Sequence, residues 1–99
     1  MPEKELTQGI IESYIHSNKR IGVLLELRCQ TDFVAKTDEF KNLAHELCLQ
    51  IAAMNPKKSE LMSQPWIKDE SKKMGDLLLE YKEKLGEDII IKKFIRYEL

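Results

Sequence analysis

The residues a metal ion would favour in this chain are His16, Cys29, His45 and Cys48. His45 and Cys48 stand three apart, which puts both on one side of a helix. The four do not form the two close pairs from which structural zinc sites are built. Cys29 falls on the apolar side of an alternating segment, where packing accounts for it, and Cys48 is placed at the edge of the core. Zinc is not expected. Hydrolytic chemistry has no better footing: there is no Ser/His/Asp set and no nucleophile elbow, and the four glycines are scattered rather than gathered into a phosphate loop. Asp32 and Asp38 are close in sequence, but nothing pairs them as acid and base. The chain offers no catalytic set and implies no cofactor, so it is not expected to be an enzyme.

The unusual stretch is Gln30 to Lys36, Gln-Thr-Asp-Phe-Val-Ala-Lys. It follows an alternating segment and precedes a helical one, so it is expected to be a surface loop. Phe33 and Val34 are apolar residues in a polar connection, with Thr31, Asp32 and Lys36 around them. Phe33 either tucks under the sheet as core or stands out as an aromatic anchor for a partner, the kind of side chain that dominates interfaces. Spacing does not separate the two.

The elements that position this stretch are legible in the periodicity. Arg20 to Cys29 alternates with period two, with Ile21, Val23, Leu25, Leu27 and Cys29 on one face, as a half-buried strand does. Gly9 to His16 is a second strand, and Ser17-Asn18-Lys19 joins them as a hairpin turn whose Asn tolerates positive φ. Phe40, Leu43, Ala44, Leu47, Ile51 and Met54 then form a helical stripe, capped by Thr37 and ended by Asn55-Pro56. Lys57 to Gln64 reads as a short polar link. A second helix is expected from about Ser71 to Leu85, with Met74, Leu77, Leu78, Tyr81 and Leu85 on one face and Gly86 as its cap. The last segment reads as a third strand with Ile89, Ile91, Ile95 and Tyr97 on one face and Ile90 and Phe94 on the other. The order strand, strand, helix, helix, strand predicts an α+β domain, a three-stranded antiparallel sheet with helices packed on one face.

Composition sets the outer bounds. Ninety-nine residues allow one domain, and 42% hydrophobic with 33% charged residues is the balance of a globular chain. Sixteen basic and 17 acidic residues leave a net charge of −1, with no basic excess to hold nucleic acid. No apolar run approaches the ~20 residues that span a bilayer. The start, Met-Pro-Glu-Lys-Glu, has no secretory character, so two free thiols in a reducing, cytoplasmic compartment are expected.

The segment IGVLLELRCQTDFVAKTDEF, with SYIH ahead of it and QPWIKD and IIIKKFIRYEL behind, resembles bacterial and organellar elongation factor Ts. Gly86-Glu87-Asp88-Ile89 and Arg96-Tyr97-Glu98 match further family blocks, and the likeness covers Gly9 to Leu99. The resemblance implies a translation elongation factor that promotes GDP release from elongation factor Tu, binding its GDP-bound and nucleotide-free forms. By position it makes Phe33 the wedge that enters the partner's GTPase domain, with Asp32 as polar neighbour and Thr31 and Val34 completing the docking loop. It also implies that His16 touches a different domain of the partner. The alternative for His16 is a strand-end histidine facing solvent. A homodimer is expected, because a sheet covered on one face leaves the other to hide; Leu24, Ile90 and Phe94 would form that second face.

Two absences and one substitution set the chain apart from the family pattern. Residues 1–8 read as a terminal extension and residues 9–99 as the core, or dimerisation, domain, without the family's amino-terminal ubiquitin-associated-like domain. Only Lys57 to Ser63 joins Asn55-Pro56 to Gln64-Pro65, where many members carry a long helical excursion. Arg28 also replaces the Asn often found before the Cys. A module that binds elongation factor Tu without driving exchange is the alternative function. Lys92-Lys93-Phe94-Ile95-Arg96 is a weak pointer to RNA, and no direct nucleic-acid contact is expected. The expected compartment is the bacterial cytoplasm, or the plastid or mitochondrial matrix.

Overall fold

The computed structural model describes residues 5–99. Strands β1 (Gln8–Ile15) and β2 (Ile21–Cys29) form the expected hairpin, and β5 (Ile89–Glu98) pairs antiparallel with β2, giving the order β1-β2-β5. Between β2 and β5 lie α1 (Asp32–Ala35), α2 (Asp38–Met54), α3 (Lys58–Leu61), the small hairpin β3 (Pro65–Trp66) and β4 (Asp69–Lys73), and α4 (Met74–Leu85). The fold is α+β, and the main helices cover one face of the three-stranded sheet.

That face is built by alternation on one side and helical spacing on the other. Val23, Leu25, Leu27 and Cys29 of β2 meet Phe40, Leu43, Leu47 and Ile51 of α2, with Met74 and Leu77 of α4 closing the side. Thr37 caps α2 as expected, its hydroxyl accepting the Phe40 N–H at 3.2 Å. The helix ends at Asn55, which takes the left-handed conformation (φ 48°) ahead of Pro56. Cys48 is fully enclosed rather than at the core's edge.

Several expectations require correction. Lys19, not Asn18, carries the positive φ of the hairpin turn (63°); Asn18 instead accepts the Arg20 N–H through its side chain at 2.9 Å. Gln30 to Lys36 is a surface connection as expected, and it contains one helical turn, α1 (Asp32–Ala35), that spacing did not show. The link after Pro56 is not wholly polar, because Leu61 on α3 is buried in the core. Helix α4 starts at Met74, three residues later than Ser71. Asp69 fixes Ser71 through its backbone N–H (3.1 Å) and hydroxyl (2.6 Å), and the Asp76 carboxylate accepts the Lys73 N–H at 3.0 Å. The chain therefore stays extended to Lys73. At the amino terminus, Met1 to Lys4 of the expected extension lie outside the described residues. Leu6 is buried, and its carbonyl accepts from Arg28 Nη1 at 3.0 Å.

The largest correction concerns β5. Glu26 pairs with Lys93 but Leu27 pairs with Ile91, so Lys92 is an extra residue that shifts the register. A bulge reverses which side chains face the core. Ile89 and Ile91 point inward before it, and Phe94 and Arg96 after it. Ile95 and Tyr97, expected on the core side, stand on the open face instead, 61% and 71% exposed. That face also carries Ile11, Ile15, Leu24 and Ile90.

Candidate functional site

The loop after β2 is assembled from both ends of the domain. Thr31 is extended and caps α1, its hydroxyl accepting the Val34 N–H at 3.2 Å. On the far side Thr37 donates its hydroxyl to the Val34 carbonyl at 2.7 Å, so one threonine closes α1 and opens α2. This single turn places Val34 and Ala35 in the core and leaves Asp32 and Phe33 outside. The Phe33 ring is 81% exposed, the most open large apolar side chain among the described residues. Asp32 pairs with Lys36 across the turn at 2.9 Å, and that bond raises the Lys36 pKa above its ordinary value. The ring thus stands between an acid and a base on a short turn capped at both ends.

The residues named from sequence fall into three roles. Phe33 and Asp32 form the exposed tip, Thr31 holds the turn, and Val34 anchors it from below. His16 is not part of this cluster. It lies beyond the hairpin end of β1, and the nine residues of β2 put roughly 30 Å between it and the loop. There His16 Nδ1 meets the Tyr14 hydroxyl at 2.9 Å, beside a groove of about 330 Å³ lined by Tyr14, Ile21, Leu49, Ala53 and Ile67.

One residue of the loop was missed. Glu87 follows the left-handed cap Gly86 (φ 70°) of α4 and turns its carboxylate toward the loop from 56 residues away. Oε1 accepts the N–H groups of Gln30 and Thr31, both at 3.0 Å, and Oε2 accepts the Thr31 hydroxyl at 2.5 Å. Gln30 Oε1 in return accepts the Asp88 N–H at 2.6 Å. The available signal was the Gly86-Glu87-Asp88-Ile89 block, but spacing carries no hint of where that carboxylate reaches.

The two thiols are packing residues. Cys29 donates to the Thr31 carbonyl at 3.2 Å, and burial, with Glu87 nearby, raises its pKa. Burial pushes Cys48 up to about 12, with Glu12 adding to the effect. Among the described residues no three His, Cys, Asp or Glu side chains converge as a metal site requires, and no helix is long and apolar enough to cross a membrane.

The family model described as Elongation factor TS matches residues 2–59 and 30–99. Among curated proteins, elongation factor Ts of Thermoanaerobacter sp. is 36% identical over 137 residues, covering 92% of this chain and 67% of the relative. Elongation factor Ts of Coprothermobacter proteolyticus is 33% identical over 139 residues (94% and 71%), and that of Moorella thermoacetica 33% over 142 (97% and 70%). The aligned lengths exceed the 99 residues of this chain, so these relatives carry segments that it lacks. With the hairpin, the loop and the last strand all inside the matched residues, the chain belongs to the elongation factor Ts family.

Proposed function

We propose that this translation elongation factor domain promotes GDP release from elongation factor Tu by inserting the Asp32–Phe33 tip into the partner's GTPase domain. The observation that carries the reading is the exposed Phe33 ring on a turn fixed at both ends. Burying a Phe side chain contributes about 1.5–3 kcal/mol, available only where the partner opens a pocket for it. A pocket opened in a GTPase shifts the groups that hold Mg²⁺ and phosphate. Preference for the nucleotide-free partner then weakens nucleotide binding by the same factor, by linkage. Thr31 and Val34 hold the turn in place, and His16 with its groove meets a second region of the partner. Their separation across the sheet suits a partner with more than one domain. Such a factor acts where translation runs, in the bacterial cytoplasm for relatives of this kind.

The open sheet face supports self-association. Ile15, Gly22 and Tyr97 form one cross-strand row and Ser13, Leu24 and Ile95 the next, around a shallow apolar groove of about 460 Å³. Two such sheets pack about 10 Å apart with side chains interdigitated, so a second copy is the proposed occupant. Residues 9–99 are the core module in this reading, and the short Lys57–Ser63 link is where the longer relatives carry their extra segment.

The deciding experiment is release of a fluorescent GDP from elongation factor Tu with and without the chain. Faster release that is lost in Phe33→Ala supports exchange. Binding without acceleration makes the chain a docking module only, and absence of binding overturns both.

A further inference from the structure

We propose that Glu87 is the positioning residue of the docking loop, holding Phe33 in the outward pose that a partner must meet. The inference rests on the exchange activity proposed above and adds a residue to it. Its ground is the convergence of three donors from two consecutive residues, the N–H groups of Gln30 and Thr31 and the Thr31 hydroxyl, on one carboxylate.

A single helical turn does not hold itself, since nucleation fixes several dihedrals for one hydrogen bond. Inside α1, only Val34 and Ala35 have contact with the core. The side that carries Asp32 and Phe33 gains nothing from packing, and an apolar ring in water gains by folding back on the surface. What opposes that is the start of the turn. There Thr31 must stay extended (φ −125°, ψ 150°) to cap it, with its hydroxyl both donating to Glu87 and accepting from Val34. Glu87 satisfies the backbone N–H groups of Gln30 and Thr31, which lie beyond the β2 ladder and before the first helical bond. The Asp88 N–H bound to Gln30 Oε1 makes the link two-way.

The carboxylate owes its direction to Gly86. A side chain at φ 70° is strained, so glycine is what lets α4 stop and the chain turn back toward the loop within one residue. The clamp therefore joins the entry of β5 to the exit of β2 at one end of the sheet. It lies at the surface, outside the core cluster, so its loss frees the loop without dismantling the domain. A loop already held in its bound pose loses little freedom on docking, and that is the contribution assigned to Glu87.

The test uses two variants of the full chain, Glu87→Ala and Glu87→Gln, with three readouts. Amide exchange at Gln30 and Thr31 in the free chain reports the clamp. Removing charge-assisted bonds to two amides raises their exchange by roughly tenfold to a hundredfold in Glu87→Ala. In Glu87→Gln the amide oxygen is a weaker acceptor than a carboxylate but keeps the geometry, so its exchange falls between. Stimulated GDP release follows the same order, wild type, Gln, Ala, while exchange at core amides such as Leu25 and Leu47 stays as in wild type. Unchanged exchange at Gln30 and Thr31, or freed amides with full GDP release, overturns the proposal. Should Glu87→Ala fail to fold, Glu87→Gln against wild type decides on the same amides. A wild-type chain that leaves GDP release unstimulated removes the exchange reading, and the clamp is then judged by amide exchange alone.

Discussion

Phe33 and Val34 are adjacent in sequence and lie on opposite sides of one helical turn, the ring 81% exposed and the valine 5%. Their substitutions separate recognition from stability. Val34→Ala removes buried methyl groups and costs about 2 kcal/mol of folding stability. Phe33→Ala removes a side chain with almost no internal contact and shifts stability by no more than about 0.5 kcal/mol. Stimulated GDP release should show the reverse order, with Phe33→Ala the more damaging. Thermal unfolding of both variants, read beside GDP release, checks this. A large loss of stability in Phe33→Ala would mean that the ring packs on its own domain.

The open sheet face supplies a second test. Leu24 pairs with Ile95, and Gly22 with Tyr97, across β2 and β5, and the Leu24, Ile95 and Tyr97 side chains lie away from the helices. Placing a charge at the centre of that face opposes burial against a second copy. Wild-type chain at micromolar concentration should sediment as a dimer, and Leu24→Lys as a monomer of 11.6 kDa. Secondary structure in Leu24→Lys should match wild type, because the substituted side chain projects into solvent in the single chain. A wild-type mass of one chain at every concentration refutes the pairing.

The bulge at Lys92 makes a prediction that unbroken alternation reverses. Beyond it Phe94 packs against the core and Ile95 does not. Phe94→Ala should cost about 2–3 kcal/mol, below the full range for an enclosed Phe because the ring is only partly buried. Ile95→Ala should cost under about 1 kcal/mol. Urea unfolding in the Leu24→Lys background keeps self-association out of both values. Equal losses, or a larger one at Ile95, would place the extra residue elsewhere in β5.

These residues also mark how far the sequence could be read. Alternation from Ile21 to Cys29 and the stripe from Phe40 to Ile51 specified the hairpin, the long helix and their shared core. Both are repeated many times over in consecutive residues, and packing enforced what the pattern implied. The inward face of β5 was misread because one added residue inverts all that follow, and Lys92-Lys93 has no composition that announces a bulge. Helix α3 and the β3–β4 hairpin are too short for periodicity to register. The latter is held by a side chain rather than a pattern: the buried Gln50 amide donates to the Pro65 carbonyl at 3.0 Å and its oxygen accepts the Ile67 N–H at 3.0 Å. At the loop, residue type and placement marked Gln30 to Lys36 as unusual. Whether Phe33 faced in or out depended on the turn, and the turn on Glu87, a long-range contact no local pattern encodes.

Alkaline pH should weaken the fold through Cys48. Burial raises this thiol from an ordinary 9.0 to about 12, so the folded chain holds the proton where the unfolded chain releases it. A group with a raised folded pKa contributes its full stability below the unfolded value and loses it as pH climbs toward the folded one. Stability should thus be independent of Cys48 titration below pH 9. Between 9 and about 12 it should fall, with a slope approaching about 1.4 kcal/mol per pH unit. Cys29, also shifted upward by burial, adds in the same direction. The informative quantity is the difference between wild type and Cys48→Ala, in which every group common to both cancels. The variant is destabilised at neutral pH by the cavity it leaves, and the gap to wild type should narrow as pH rises from 9 to 11. Denaturant unfolding across that range measures it, and two parallel pH profiles would show that the Cys48 proton is not retained by the fold.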